Sequence, residues 1–214
     1  MYQKIVEETL SFSDPSFAEW IKPYLNIKDD LEDLVVGIRV PILRKLAKKY
    51  KNIDLDILKK LLNNKIHEIR ALAIFIMLIK SKKISNDMCK MYLENLDFIN
   101  NWDLIDYSAP YIVAPFVSKN KLIELSKESN LWANRIAIVS TIYYIRQYDF
   151  DLTLRIAKEF INHKHHLIHK ATGWMLREVG KRDINTLLCF LSENEKIMPS
   201  IMRSYACEKI RNIV

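Results

Sequence analysis

The stretch Leu152–Ile161, LTLRIAKEFI, decides the fold because its apolar residues recur at the spacing of a helix. Leu152, Ile156, Ala157 and Phe160 form one stripe along it. A second apolar stripe follows Asp54, a residue suited to a helix N-cap, and it consists of Leu55, Leu58, Leu61 and Leu62. No segment alternates convincingly between apolar and polar residues, as a half-buried strand does. The sequence therefore predicts an all-α protein with roughly a dozen helices of average length.

Composition excludes several classes of protein. The chain has 214 residues but only 3 glycines and 6 prolines, too few for a β-rich fold with many tight turns. Neither GxGxxG nor GxxxxGK[ST] can be written, which argues against nucleotide-dependent kinases, NTPases and dehydrogenases. The formal net charge of +7 favours an anionic partner such as nucleic acid or a membrane surface.

Cysteine usage and hydropathy indicate where the protein works. Cys89, Cys189 and Cys207 lie far apart and form no CxxC pair, which is typical of a reduced protein. The first residues are acidic and polar, unlike a signal peptide. The longest apolar run, Ala71 to Ile79, falls far short of the roughly 20 residues that a membrane helix needs. We expect a cytoplasmic protein without membrane contact.

A weak internal repeat supports one helical array over residues 1–214. A charged residue followed by a small one recurs with a period of roughly 35 residues, which suits a helix–turn–helix repeat. These pairs are Arg44/Ala47, Arg70/Ala73, Asp106/Ala109, Arg135/Ala137, Lys170/Gly173 and Arg203/Ala206. The pattern predicts HEAT-like repeats in a single domain, stacked into a curved solenoid with a basic concave face built from the charged residues. A generic helical bundle is the alternative.

In this register one carboxylate stands among basic residues. Asp106 lies four residues after Trp102, so both share a helix face, and Trp174 lies four residues after Lys170. Aromatic faces attract cations, and a carboxylate stabilises developing positive charge. Such a face suits depurination of an N-alkylated purine, whose transition state is an oxocarbenium ion with a departing cationic base. Taken singly, each Trp is more often a core residue, and Asp103 and Asp106 are ordinary acids for a helix start.

Five stretches, in order along most of the chain, resemble the DNA alkylation repair family, the AlkD-type DNA glycosylases built from HEAT-like repeats. The most specific are NNWDLIDYSAPYIV (Asn100–Val113) and HKATGWMLREVGKRD (His169–Asp183). The others are GIRVPILRKLAKKY (Gly37–Tyr50), LWANRIAIVST (Leu131–Thr141) and MPSIMRSYACEK (Met198–Lys209). The resemblance implies an all-α protein that binds duplex DNA and removes N3- and N7-alkylated purines in base excision repair. It also implies that neither cofactor nor metal is used and that the damaged base is not flipped out. A monomer is the natural choice for an enzyme that scans DNA for lesions.

The resemblance also implies site residues, carried over position by position. The catalytic carboxylate falls on Asp106, the aromatic residues that line the lesion fall on Trp102 and Trp174, and the neighbouring arginine falls on Arg135. We expect the DNA backbone to be held by Arg44, Lys45, Arg70, Lys170, Arg177 and Arg203. The chain departs from the pattern where basic residues are expected, with Asn134 before Arg135 and with Ser200 and Ser204 in the last stretch.

Two other functions stay open at this point. A non-catalytic DNA-binding protein that recognises distorted or branched DNA would share the basic groove. A HEAT-type scaffold for protein partners would instead show no salt-dependent DNA affinity. The histidine-rich stretch NHKHHLIHK places His165 and His169 four residues apart, as in some zinc sites, but no nearby Cys or Glu completes a ligand set. We expect it to be a solvated loop.

Overall fold

The computed structural model describes residues 1–25 and 33–210, and within them the protein is all-α. This part of the chain forms fourteen α-helices and two short 3-10 helices, Leu96–Phe98 and Ala114–Phe116. By contacts the chain divides into two compact units, Met1–Ser108 and Ala109–Val214. This division does not test the prediction of one repeat domain, because a repeat array makes contacts mainly between neighbouring repeats.

The first unit is organised around one buried helix. Its helices are α1 (Tyr2–Leu10), α2 (Pro15–Leu25), α3 (Val40–Lys49), α4 (Leu55–Leu62), α5 (His67–Lys80), α6 (Ser85–Leu93) and the beginning of α7 (Trp102–Ile112). Every residue of α5 from His67 to Met77 is buried, and α5 packs against α3, α4 and α6. The apolar run that is too short to cross a membrane is therefore the central core helix of this unit.

The segment that leads into α3 contains a glycine in the left-handed region of backbone space. Gly37 has a φ of 80°, and a Cβ at this position would lie 2.0 Å from the Asp14 carbonyl oxygen, so glycine is required. The buried Glu68 carboxylate accepts hydrogen bonds from the backbone N–H groups of Val36, Gly37 and Ile38. The start of α5 thereby fixes the segment that precedes α3.

The second unit is organised around the long helix α12. Its remaining helices are α8 (Lys119–Ser126), α9 (Leu131–Ser140), α10 (Ile142–Ile145), α11 (Asp151–Phe160), α12 (His166–Gly180), α13 (Ile184–Asn194) and α14 (Ser200–Ala206). Helix α12 packs against α9, α10, α11, α13 and α14. Leu152, Ile156, Ala157 and Phe160 are buried on α11, which confirms the stripe predicted from the sequence.

The small residues of the repeat each lie buried on a separate helix. They are Ala47 on α3, Ala73 on α5, Ala109 on α7, Ala137 on α9, Gly173 on α12 and Ala206 on α14. At Gly173 an added Cβ would lie only 2.3 Å from the carbonyl oxygen of Met202, so α12 and α14 are in close backbone contact there. The absence of a side chain at Gly173 permits this close packing.

Along the described ranges, no helix combines the length and apolar character needed to cross a membrane.

Candidate functional site

The first turn of α7 is held against the end of α2. The Asn101 side-chain amide donates to the Leu25 carbonyl oxygen at 2.6 Å, and the Trp102 indole Nε1–H donates to the Tyr24 carbonyl oxygen at 2.9 Å. The last carbonyls of a helix lack partners within the helix, so these side chains complete the end of α2. The half-buried indole of Trp102 consequently has a fixed orientation.

The two carboxylates of the Trp102 motif have different surroundings. Asp103 Oδ2 lies 2.9 Å from His67 Nε2, and this contact is almost fully buried. Asp106 lies one turn further along α7 and is half-buried. The negative charge of Asp106 acts on the hydroxyl of Tyr92. Burial is the main cause that raises the pKa of Tyr92, and the charge of Asp106 raises it further. The hydrogen bond with Ser108 acts in the opposite direction. Both carboxylates are thus half-buried, and Asp103 is the one that contacts His67.

A cation lies beside the same helix. Arg44 is exposed on α3, with its guanidinium carbon 5.3 Å from the ring centroid of Phe75 and 5.7 Å from that of Tyr107. Burial raises the pKa of Tyr107, Asp103 and Asp106 raise it further, and Arg44 lowers it. Arg44 and the neighbouring Lys45 are both exposed, so their binding to the DNA backbone stays a prediction.

Arg70 is a buried basic residue. Its side chain is only 1% exposed, and its guanidinium donates to both carboxylate oxygens of Asp33 at 3.0 and 2.9 Å. It also donates to Asn100 and to the backbone carbonyls of Asn64 and Lys65. This burial does not fit the expectation that Arg70 holds the DNA backbone, because the internal contacts keep its guanidinium away from the surface.

Arg135, in the second unit, is also buried, with 5% of its surface exposed. Its Nη1 donates to the Leu167 carbonyl oxygen at 2.8 Å, which ties α9 to the first turn of α12. The expectation that Arg135 presents its guanidinium to a phosphate does not match this burial. We assign it instead to positioning α12, the helix that carries Lys170, Trp174 and Arg177.

Asn134 shows what replaces the expected basic residue before Arg135. Its buried amide nitrogen lies within hydrogen-bond distance of the carbonyl oxygens of Leu125, Ser126 and Glu128, at the end of α8. Its Oδ1 lies 3.1 Å from Nε2 of His163. The departure from the family pattern therefore has a structural use: Asn134 closes α8 and fixes the loop before α12.

In the histidine-rich stretch, two successive imidazole rings accept hydrogen bonds from the backbone before and at the start of α12. The backbone N–H of His165 donates to Nδ1 of His163 at 3.0 Å, and the N–H of Leu167 donates to Nδ1 of His165 at 3.1 Å. Both rings are therefore neutral, with the proton on Nε2. Burial and neighbouring positive charge lower the pKa of each, and these charges come from other histidines and, at His165, also from Arg135. Over the described ranges, no three His, Cys, Asp or Glu side chains cluster so that they could hold a metal ion.

The remaining predicted residues lie on α12 and α14. Lys170 and Trp174 are half-buried on α12. Arg177 donates to the Glu208 carboxylate, and Arg203 Nη2 lies 2.5 Å from Glu195 Oε1. Both arginines thus bind carboxylates of the chain itself. Trp102 and Asp106 share α7 in the first unit, whereas Arg135, Trp174 and Arg177 belong to the second.

An aromatic surface on α2 was missed in the sequence. Trp20 and Tyr24 are each 58% exposed, their ring centroids lie 5.0 Å apart, and Trp20 stacks on Phe17 at 5.6 Å. Arg39 lies over the Phe17 ring at 4.2 Å. The spacing of Phe17, Trp20 and Tyr24 along one helix face was the available signal. Because Trp102 binds the Tyr24 carbonyl, this surface adjoins the Trp102 motif.

Comparisons with known proteins agree with this fold. The sequence pattern of the family described as DNA alkylation repair enzyme matches residues 7–210. A solved structure described as a predicted DNA alkylation repair enzyme from Enterococcus faecalis is 15% identical, with a TM-score of 0.70 over 93% of this chain and 97% of that one. AlkD2 from Streptococcus mutans is 18% identical, with a TM-score of 0.59 over 92% of this chain and 98% of that one.

No curated protein matches the chain. At such identities the two solved structures establish the fold alone, and the family match carries the assignment. Because that match spans nearly the whole sequence, the chain belongs to the DNA alkylation repair enzyme family.

Proposed function

We propose that this protein is a DNA glycosylase that removes N3- or N7-alkylated purines from duplex DNA. The family membership supports a role in alkylation repair, and the Trp102 motif supports the specific reaction. In this proposal the protein works as a monomer, without metal or cofactor, and the damaged base leaves without being flipped into a pocket.

The reaction is hydrolysis of the N-glycosidic bond. An alkylated purine such as 7-methylguanine already carries positive charge, so it can depart without a strong general acid. The sugar develops oxocarbenium character, which the Asp106 carboxylate stabilises while it orients the attacking water. Trp102 supplies an aromatic face for the cationic sugar and base, and Trp174 is the second aromatic residue that the family resemblance implies.

The observation that carries the proposal is the position of Asp106, which is half-buried one turn after Trp102 on α7. Asp103, in the same motif, contacts His67 and helps to fix the start of this helix. The helix start that carries both is held by the contacts of Asn101 and Trp102 with the end of α2. A carboxylate that shares a helix face with an aromatic residue, on a helix whose start is fixed, suits electrostatic catalysis.

A non-catalytic DNA-binding protein is the second candidate. The burial of Arg135 favours it, because the family resemblance implies an arginine beside the lesion and this side chain is only 5% exposed. This protein would bind DNA with salt-dependent affinity but release no base.

Base release distinguishes the two. We expect wild-type protein to release 7-methylguanine from a methylated duplex in a single turnover, and Asp106→Asn to reduce the rate by about 100-fold or more. Asp103→Asn is the matched control, since it removes a carboxylate from the same motif; its folded fraction should keep most of the activity. Equal rates for wild type and Asp106→Asn would disprove the catalytic assignment. DNA binding without release by either protein would favour the second candidate.

A further inference from the structure

Two arginines expected to contact DNA are both bound to carboxylates from the C-terminal part of the chain. Arg177 Nη1 donates to Oε2 of Glu208, just beyond the end of α14. Arg203 Nη2 on α14 lies 2.5 Å from Oε1 of Glu195, the residue after α13. Both acids are exposed enough to be displaced: the Glu208 side chain is 39% exposed and that of Glu195 is 53% exposed.

The backbone packing holds Glu208 near Arg177. Helix α14 approaches α12 at Gly173, where an added Cβ would lie 2.6 Å from the Cβ of Tyr205. Arg177 lies about one turn after Gly173 on α12, and Glu208 lies three residues after Tyr205. The close helix contact therefore brings the carboxylate to the guanidinium, and the pair does not depend on two flexible surface side chains meeting by chance.

A guanidinium binds a carboxylate and a phosphate through the same fork of N–H donors, so the two anions compete for it. Glu208 is well suited to compete because it stays ionised. Desolvation acts to raise the pKa of its carboxyl, but the charges of Arg177 and Lys209 hold that pKa below its ordinary value. Arg177 is also flanked by Glu178, whose Oε1 lies 3.9 Å from Nε.

We propose that the carboxylates of Glu195 and Glu208 compete with DNA phosphates for Arg203 and Arg177. When the duplex binds, its phosphates must displace these carboxylates. The inference rests on the proposed function, DNA binding, and adds a feature that sets the affinity of the protein for DNA. Because each pair is partly exposed, it is weak, and the competition lowers affinity without abolishing it. The protein then holds undamaged DNA loosely enough to release it.

Affinity for a short fluorescent undamaged duplex, measured by anisotropy at several salt concentrations, tests the proposal. We expect Glu208→Gln and Glu195→Gln each to tighten binding by about threefold to fivefold. Glu193→Gln is the matched control: it removes the same charge from α13, but its carboxylate contacts the Cys189 thiol at 3.6 Å. We expect the control to change affinity by less than about twofold, the general effect of one fewer negative charge.

A double-mutant cycle separates competition from any structural effect of the substitution. In an Arg177→Gln background, Glu208→Gln should tighten binding no more than the control does, because no guanidinium is left to release. Gains equal to the control in both backgrounds would overturn the inference while leaving DNA binding intact. Absence of DNA binding by every variant would overturn the inference and the proposed function together. Tighter binding without base release would support the inference and refute the glycosylase.

Discussion

Nε2 of His67 lies 2.9 Å from Oδ2 of Asp103, which joins the first residue of α5 to the first turn of α7. Beside this contact, Arg70 binds Asp33 and Asn100, and the Asn100 amide also donates to Asp33 at 2.7 Å. The start of the central core helix thus fixes the helix that carries Trp102 and Asp106.

Asp103→Asn should lower the free energy of unfolding by about 2 kcal/mol, because a buried hydrogen bond to a charged group is lost. Urea denaturation of the purified protein measures this change. Asp56→Asn, an exposed carboxylate on α4, is the control and should change stability by less than about 0.5 kcal/mol. Equal effects would mean that the His67 contact contributes nothing specific.

Substitution of Arg70 should affect stability, whereas substitution of Arg44 should affect DNA binding. Arg70→Met should destabilise the protein by about 3–5 kcal/mol, because it leaves the Asp33 charge uncompensated. The folded fraction should bind DNA as wild type does. Urea denaturation and DNA titration at several salt concentrations give the two quantities.

Arg44→Gln should leave stability nearly unchanged and weaken DNA binding. The slope of log affinity against log salt should fall by about 1, which corresponds to one lost phosphate contact. Lys60→Gln, an exposed substitution on α4, is the comparison. If it weakened binding as much as Arg44→Gln, the effect of Arg44 would be one of net charge alone.

The helices could be predicted because their signals are local. Asp183, for example, has a side chain suited to a helix N-cap, and its Oδ1 accepts from the N–H groups of Asn185 and Thr186 at the start of α13. The small residue that follows each charged one is buried on its helix, as close packing requires. Asp54 does stand at the N-cap of α4, although it makes no side-chain capping hydrogen bond there.

The role of the charged repeat residues could not be predicted. In sequence, Arg44 and Arg70 look equivalent, since each precedes an alanine by three positions. Their surroundings differ because the Arg70 guanidinium binds Asp33, which is 37 residues away in sequence, whereas Arg44 lies on an exposed helix face. Local periodicity shows which face a side chain shares but not which distant acid neutralises it. The solenoid curvature, its basic concave face and the pairing of the two tryptophans around a lesion stay predictions.

Stability should depend on pH through His163 and His165. Both pKa values are lowered in the folded protein, so the unfolded chain binds protons more readily. The stabilisation is complete above the unfolded pKa of about 6.5 and is lost as the pH falls towards the lower folded pKa values. We expect His165→Asn to retain the cap of α12 and to lose part of this dependence.

Thermal unfolding at pH 7.5 and pH 5.5 measures this effect. Wild type should lose more stability on acidification than His165→Asn, by roughly 1 kcal/mol, the usual contribution of a helix N-cap. Identical losses in the two proteins would refute a role for the His165 cap.

Gly173→Ala should destabilise the protein by about 1–3 kcal/mol, because its Cβ would press on the Met202 backbone. Gly180→Ala is the matched control on the same helix. Its Cβ would lie 2.3 Å from Cδ2 and 3.2 Å from Cβ of Leu187, so it would meet a side chain rather than backbone. Urea denaturation should therefore show a smaller loss for Gly180→Ala, and the reverse order would contradict the proposed contact between α12 and α14.

The amide of Asn134 has a consequence for engineering. A designer who restores the basic residue expected at this position would remove the donor that reaches the carbonyls of Leu125, Ser126 and Glu128 and would insert a charge into the core. Ser200 and Ser204 also stand where basic residues are expected, but both are exposed on α14. Variants with stronger attachment to DNA are therefore better sought at these serines, where an added lysine or arginine can stay in solvent until the duplex arrives.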